Sequence, residues 1–318
     1  MTLSLTQRLR EIDPDTLGVS EYMRAYLRRM LPVADYYLGI YEHGLARLLD
    51  GVGLPPNELT LVDYGGGHGL LSLLAREMGV GHVVYVDVNP ESAQAFEALL
   101  ERLGIEADCY TIIVGDSKTL RQHCEQTGLK PHLLMGMDVI EHIYCIDDTL
   151  ADLIALNEGM PMLFTTASTP YNRRIVKRLH KVMLRDEERF LLKRREFIAR
   201  LFPDLTEEQR DYWAAHTRGL DYDDILRAVE NECPNLLKDP FNTCDPETGS
   251  WTERILPLQD YEQLLQPYGY RLEVELGWYN AANGGLKGVV QRHYNKSLLK
   301  GKRRSKAPFL FLYMSHTL

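Results

Sequence analysis

"LVDYGGGHGLL", residues 61–71, runs a short apolar stretch into four glycines, Gly65, Gly66, Gly67 and Gly69, and returns to leucines. Glycine is costly inside a strand or helix, so this density answers a geometric demand: a tight turn, or something that must come close to the backbone. LTLVDYGGG has the apolar continuity of a buried strand ending in a glycine turn, and HGLLSLLAREMG has the spacing of the helix it feeds. The rhythm then repeats. GHVVYVDVNP, YTIIVGD, HLLMGMDVIEH and MPMLFTTAST read as strands; PESAQAFEALLERLG, KTLRQHCEQTG and DDTLADLIALNEG read as the helices between them. Short apolar strands alternating with amphipathic helices predict crossover units and a doubly wound, mainly parallel α/β sheet.

Away from this centre the pattern changes. Residues 20–50 show helical periodicity interrupted at Pro32, and after Pro170 residues 171–232 look helical with no strand among them. A turn-rich piece leads to the helix QDYEQLLQPYG and the strand YRLEVELGWYN, and the connection AANGGLKGVVQRHYNKSLLKGKRRSK, rich in glycine and lysine, leads to the strand APFLFLYMSH. Four segments are therefore expected: a helical extension over 1–58, a ligand-binding core over 59–170, a helical insertion or cap over 171–257, and the closing part of the sheet over 258–318.

Composition bounds the function. The chain has 318 residues, 45% hydrophobic and 25% charged, which is ordinary globular usage. No apolar run approaches the roughly 20 residues that span a bilayer, so membrane insertion is not expected. The opening MTLSLTQRLREIDPD carries acids early and does not read as a signal peptide. Five cysteines scattered without a CxxC fit a reduced, cytoplasmic setting. A net charge of −9 argues against general attraction to nucleic acid.

In open α/β sheets, ligands sit at the carboxyl edge, against a helix N-terminus. Asp87 closes the second strand there, where a carboxylate can accept hydrogen bonds from both hydroxyls of a ribose. Dinucleotide sites favour G-x-G-x-x-G, but Leu70 stands where the third glycine would fall. The pattern is instead Asp63-x-Gly65-x-Gly67-x-Gly69, which resembles motif I of the class I S-adenosylmethionine-dependent methyltransferases. Asp87 matches that family's ribose-binding acid, Asp116 in IIVGDSKTL the residue that meets the adenine, and MDVIEHI the segment after the fourth strand that borders the methyl acceptor. The resemblance covers residues 60–170, and the strands at 270–280 and 307–316 suit the family's final hairpin. It implies a seven-stranded sheet with the last strand antiparallel, and S-adenosylmethionine as cofactor. The cofactor would be held by Asp63, Gly65, Gly66, Gly67, Gly69, Asp87, Val88, Asp116, Ser117 and Asp138. Such chemistry is attack by O, N or C on a sulfonium methyl, assisted by alignment and desolvation.

The acceptor side is read from MDVIEHI. Asp138 and Glu141, three apart, share a face if the segment is helical, and His142 follows; Glu141 and His142 are expected to be catalytic. Small-RNA and ubiquinone-pathway methyltransferases bind a divalent metal through a similar E-x-x-E-H. Here the first position is Asp, and PETGSWTERILP has Trp251, Thr252 and Arg254 but not the histidine that the small-RNA enzymes add. No metal is assigned. His216, in DYWAAHTRGLDYDDI, is a candidate base from the insertion, because imidazole titrates near neutrality. Tyr171, Asn172, Trp251, Trp278 and Tyr279 are candidate walls for a planar acceptor, with core packing the default for each.

RRIVKRLHKVMLRDEERFLLKRREFIAR (173–200) is rich in Arg and Lys, and its apolar positions, from Ile175 to Leu201, recur at helical spacing. A solvated basic face is the plain reading; a lid for an anionic acceptor is the functional one. Lys300, Lys302, Arg303, Arg304 and Lys306 form a second basic run. The expected acceptor is a small molecule methylated on oxygen or nitrogen, anionic if the basic segments serve it. The alternatives are an RNA 2′-O-methyltransferase, relying on Lys193, Arg194 and Arg195, and a cofactor-binding scaffold without activity.

Overall fold

Strand and helix alternate where the apolar periodicity places them. The computed structural model describes residues 4–235, 237, 239–281, 285–298 and 303–316. Three helices come first: α1 (Leu5–Arg10), α2 (Glu21–Met30) and α3 (Ala34–Gly51). Then follow β1 (Thr60–Tyr64), α4 (Leu70–Glu77), β2 (His82–Asp87), α5 (Pro90–Leu103), β3 (Tyr110–Val114), α6 (Ser117–Thr127), β4 (Leu133–Met137), α7 (Ile146–Ala155) and β5 (Met162–Thr166). The chain leaves the sheet for α8 (Arg173–Leu201), α9 (Glu207–His216) and α10 (Tyr222–Glu230). It returns through α11 (Leu258–Leu265), β6 (Tyr270–Leu276), α12 (Gly285–Leu298) and β7 (Leu310–His316).

The seven strands lie in the order β3-β2-β1-β4-β5-β7-β6. The first five pair in parallel, and β7 runs antiparallel to both β5 and β6. Side chains alternate across the sheet with period two. Leu61, Tyr85, Met135, Leu163 and Phe311 therefore join one core with the N-terminal helices, α4 and α5. Val62, Val84, Leu134, Phe164 and Leu312 join the other with α6, α7 and α11. The insertion has a small core of its own, Ile198, Ala214, Ile225 and Val229. On the first face α3 reaches the far edge of the sheet. Arg47 donates to Glu273 at 2.7 Å and to Glu275 at 2.9 Å, and His43 Nε2 lies 2.8 Å from Glu275.

Three local expectations change. The segment after β4 does not continue as a helix: it makes a 3₁₀ turn at Ile140–His142, and α7 starts only at Ile146. The glycine- and lysine-rich connection contains α12, anchored by the buried Leu298; its composition hid a proline-free stretch long enough for a helix. Along α8, Leu179, Met183, Phe190 and Ile198 are buried as their spacing predicts, but Leu201 is exposed and Arg194 is fully buried.

Candidate functional site

The glycine turn answers two demands. A Cβ on Gly65 would sit 2.4 Å from Val139 Cγ2, on Gly66 2.4 Å from Tyr85 Cε2, and on Gly69 2.0 Å from Phe96 Cδ2. Only at Gly67 (φ +53°) would a Cβ meet nothing within 4 Å. The protein's own packing thus requires three of these glycines, and Gly67 alone faces open space. Behind the turn, Asp63 is buried, and its Oδ2 accepts from the Ser72 N–H at 3.0 Å and the Ser72 hydroxyl at 2.6 Å, tying β1 to the first turn of α4. Burial pushes the Asp63 carboxyl up to about 7, against the pull of the two Ser72 bonds. Asp87 braces the turn from β2: Oδ2 accepts from the Gly67 N–H and Oδ1 from the Asn89 N–H, each at 2.8 Å. Burial raises its pKa too, and both oxygens keep lone pairs for a ligand.

These elements open on a cavity of about 780 Å³ at the carboxyl edge of the sheet. Gly65, Gly67, Asp87, Val88, Asp116 and Ser117 line one end; Asp138 and His142 line the middle. Gly66, Gly69 and Asp63 are not on its wall and act from behind it. Val88 is 69% exposed, an apolar side chain left open beside the Asp87 carboxylate. Asp116 also caps α6, accepting from the Thr119 N–H at 3.0 Å and hydroxyl at 2.9 Å. Burial acts to raise its pKa, but the Thr119 bonds outweigh it and the net shift is downward. The Ser117 hydroxyl donates to Asp152 at 2.9 Å. Below the turn, His68 is buried with neither ring nitrogen partnered, and burial drops its pKa to about 4. Its ring packs edge-on against Tyr26, 4.9 Å away. An open backbone cradle, two carboxylates and an unpartnered buried imidazole fit a polar ligand at this turn.

The segment after β4 separates its three candidates. Asp138 takes φ +51°, unusual for a residue with a side chain, and so turns out of the strand into the cavity wall. Its N–H donates to Thr165 Oγ1 at 3.0 Å, which holds this backbone in place. His142 also lines the cavity, with Nδ1 2.9 Å from the Trp251 carbonyl. A carbonyl can only accept, so Nδ1 carries the hydrogen and Nε2 is left as the basic nitrogen of the neutral ring. Glu141 points the other way. It is buried off the cavity, with Oε1 accepting from Thr166 Oγ1 at 3.0 Å and Oε2 unpartnered. Burial, then the charges of Asp138 and Glu253, raise its pKa well above the ordinary value. The backbone is the reason: Asp138 stands outside the 3₁₀ turn at φ +51°, so no helical repeat relates it to Glu141.

His216 is not on the cavity wall. Its Nδ1 bonds the Tyr212 carbonyl at 2.7 Å and its ring stacks on Tyr212, so it belongs to the surface of α9. None of Tyr171, Asn172, Trp251, Trp278 and Tyr279 lines the cavity. Trp251 serves through its carbonyl on His142, and Trp278 packs against Phe311. Among the described residues, no group of three or more His, Cys, Asp or Glu side chains is arranged to hold a metal ion.

Two walls were not foreseen. Tyr22, Met23 and Tyr26 of α2 close the cavity on one side; Tyr144, Asp148, Asp221, Asp224 and Arg227 close it toward the cap. Tyr144 Oη donates to Asp224 and accepts from the Asp221 N–H at 3.1 Å. In the sequence, α2 shows only amphipathic spacing, and LDYDDI only the acids of a helix start. Three basic residues of the second half of α8 are neutralised. Lys193 bonds Asp245 and Glu247 at 2.9 Å, Arg194 pairs with Glu187, and Arg195 pairs with Glu207 and Asp211. Lys300 and Lys302 lie outside the described residues.

No protein-family profile matches the chain. A ribosomal protein L11 methyltransferase of Dechloromonas aromatica is 40% identical over 60 residues, 18% of this chain and 20% of that protein. The one of Alteromonas mediterranea is 29% identical over 99 residues, 31% of this chain and 33% of that protein. The chain thus matches a third or less of the length of these relatives. Among solved structures, magnesium protoporphyrin IX methyltransferase from Synechocystis with bound SAH aligns at TM-score 0.45 and 12% identity, covering 98% of this chain and 94% of that one. Ribosomal protein L11 methylase from Lactobacillus delbrueckii aligns at TM-score 0.38 and 13% identity, covering 86% and 76%.

Proposed function

We propose that this chain, which has the sheet order and glycine turn of the class I S-adenosylmethionine-dependent methyltransferases, binds S-adenosylmethionine and transfers its methyl group to an oxygen or nitrogen acceptor. One juxtaposition carries the reading: a single cavity joins the glycine turn, the paired acids Asp87 and Asp116, and an imidazole with its basic nitrogen free. When bound, S-adenosylmethionine supplies an electrophilic methyl group on a sulfonium.

The chain's own residues do the rest. The Gly67 backbone and Asp87 hold the ribose end, Val88 offers an apolar face to the base, and Asp116 receives its amine. Asp138 sets the floor beside the reacting centre. His142, fixed by the Trp251 carbonyl, takes the acceptor's proton on Nε2 and stays in place as imidazolium until water receives that proton. Glu141 supports the turn that carries His142 and does not touch the reacting atoms.

The acceptor enters past the cap. That wall carries Asp148, Asp221 and Asp224, and Arg227 is already paired with Asp224. Such a wall repels an anion and receives hydrogen-bond donors, so the group to be methylated is an amine or a hydroxyl rather than a small anion. A small molecule fits the volume. The relatives' substrate, a ribosomal protein, would meet the same acids through an amine. The test is methyl-labelled S-adenosylmethionine with a cell extract split into small-molecule, RNA and protein fractions. Label in any fraction, lost in His142→Ala, supports the reading and identifies the acceptor class. Calorimetric cofactor binding with no label in any fraction overturns transfer in favour of a cofactor-binding scaffold.

A further inference from the structure

The two basic runs, far apart in the sequence, meet in the fold. No acid occurs between Glu158 and Asp186, and none follows Glu275, in a chain whose net charge is −9. The first of these stretches contains the opening turns of α8; the second contains α12 and the approach to β7. Asn172 joins them, its Nδ2 donating to the Ala307 carbonyl at 2.7 Å. Tyr279 reinforces the joint by donating its hydroxyl to the Lys306 carbonyl at 3.0 Å and its N–H to Asn295 at 2.8 Å.

The surface around this joint is unpaired and positive. Arg173, Lys177 and Lys181 follow one another at every fourth position on α8, all exposed, with Arg174 beside them. Lys296, Arg303 and Arg304 are exposed on the neighbouring segment. None of these seven makes an ion pair among the described residues, in contrast to Lys193, Arg194 and Arg195 farther along α8. Aromatic rings lie between the charges. The Arg304 guanidinium is 5.8 Å from the centre of the Tyr171 ring, and Lys306 Nζ is 5.3 Å from that of Tyr294. The patch starts close behind the cavity's wall in the chain: Arg173 follows the end of β5 by seven residues, and Thr165 of β5 accepts from the N–H of Asp138.

We propose that this patch is a docking surface for a single-stranded polynucleotide. Cations spread over two elements suit a regular row of phosphates, and half-exposed tyrosines among them suit unpaired bases. An acidic polypeptide would use the charges but not the rings. The acid-lined cap wall complements the patch: it keeps phosphates out of the cavity while accepting donors from a base or sugar. The surface stands independently of methyl transfer, and its test needs no cofactor.

The test is fluorescence anisotropy of the full chain with a 5′-labelled, unstructured 20-nucleotide RNA and the DNA of the same sequence. Contact with about five phosphates lowers affinity roughly 100-fold between 50 and 200 mM salt. Lys177→Glu with Arg303→Glu is expected to weaken binding at least tenfold and flatten the salt dependence. The milder Lys181→Gln with Lys296→Gln weakens it less, and Arg195→Ala leaves it unchanged. Wild-type far-UV circular dichroism and an unchanged thermal melting midpoint show that the variants are folded. Binding of either polynucleotide that both double variants weaken supports the proposal, and a preference for RNA or for DNA names the source. Absent binding, binding indifferent to both double variants, or displacement by polyglutamate at equal charge overturns it, the last by assigning the patch to an acidic polypeptide.

Discussion

Gly67 and Gly69 stand two residues apart in one turn, and the structure gives them opposite reasons to be glycine. At Gly69→Ala the new methyl would meet Phe96 Cδ2 at 2.0 Å, in a backbone at φ +76°. Left-handed backbone costs an alanine about 1–2 kcal/mol, and overpacking a core ring costs about 1–3 kcal/mol more, so the expected loss of stability is about 2–5 kcal/mol. With roughly 2.1 cal/mol/K of unfolding entropy per residue over 318 residues, the melting temperature falls by about 3–7 °C. At Gly67→Ala the backbone strain is similar, but the methyl meets nothing within 4 Å and lies on the cavity side. Its main cost is to the ligand: about 1–3 kcal/mol of lost fit, or roughly 5–150-fold in affinity for S-adenosylmethionine. Thermal unfolding and calorimetric titration of both variants separate the two effects. A Gly69→Ala protein that melts within about 1 °C of wild type refutes the packing argument. A Gly67→Ala protein with wild-type affinity refutes the assignment of this turn to the cofactor.

Asp87→Ala removes both the brace on the turn and the proposed ribose contact, and is expected to weaken cofactor binding by about 1–3 kcal/mol; unchanged affinity in calorimetry would sink that contact. His142→Ala should lower turnover by about 10²–10⁴ while sparing cofactor affinity, and an equal loss of both would recast His142 as a binding residue. Asp63 predicts an unusual pH dependence. Its folded pKa, about 7, lies above the ordinary carboxyl value, so the fold binds the extra proton. Stability from this group is full below about pH 4 and is lost as pH rises through about 7, by a few kcal/mol in all. Denaturant unfolding at pH 5 and pH 8 should show this slope in wild type and its reduction in Asp63→Asn; equal slopes would contradict the burial account.

The five βα units were legible because each strand is a continuous apolar run and each helix is bounded by Gly, Pro or an acid. The glycine turn was legible as a site, but the reason for most of its glycines was not. Tyr85, Phe96 and Val139 are what exclude a side chain at Gly66, Gly69 and Gly65, and such contacts between distant positions leave no local signal. The split between Asp138 and Glu141 depends on the left-handed backbone of Asp138, which denies the pair the helical spacing a shared face requires. The basic helix misled for a related reason. Sequence shows the charges of α8 but not Asp245, Glu247, Glu207 and Asp211 folding back on its second half. Trp251 was noted as an aromatic wall, yet it acts through its main-chain oxygen, which any residue would supply.

The sheet order also sets a schedule for synthesis. Strand β6 pairs with β7 alone, and Leu310 follows Leu276 by 34 residues. At roughly 5–20 residues per second, a ribosome takes about 2–7 s to deliver the partner strand. Through that interval β6 has no partner strand and β5 is the open edge of the five-stranded sheet, the kind of surface on which nascent chains aggregate. Helix α3 is made long before and already carries Arg47 and His43, the side chains that bind Glu273 and Glu275. The ion pairs that join α3 to the finished sheet therefore act on a strand whose one neighbour in the sheet is the last to be made.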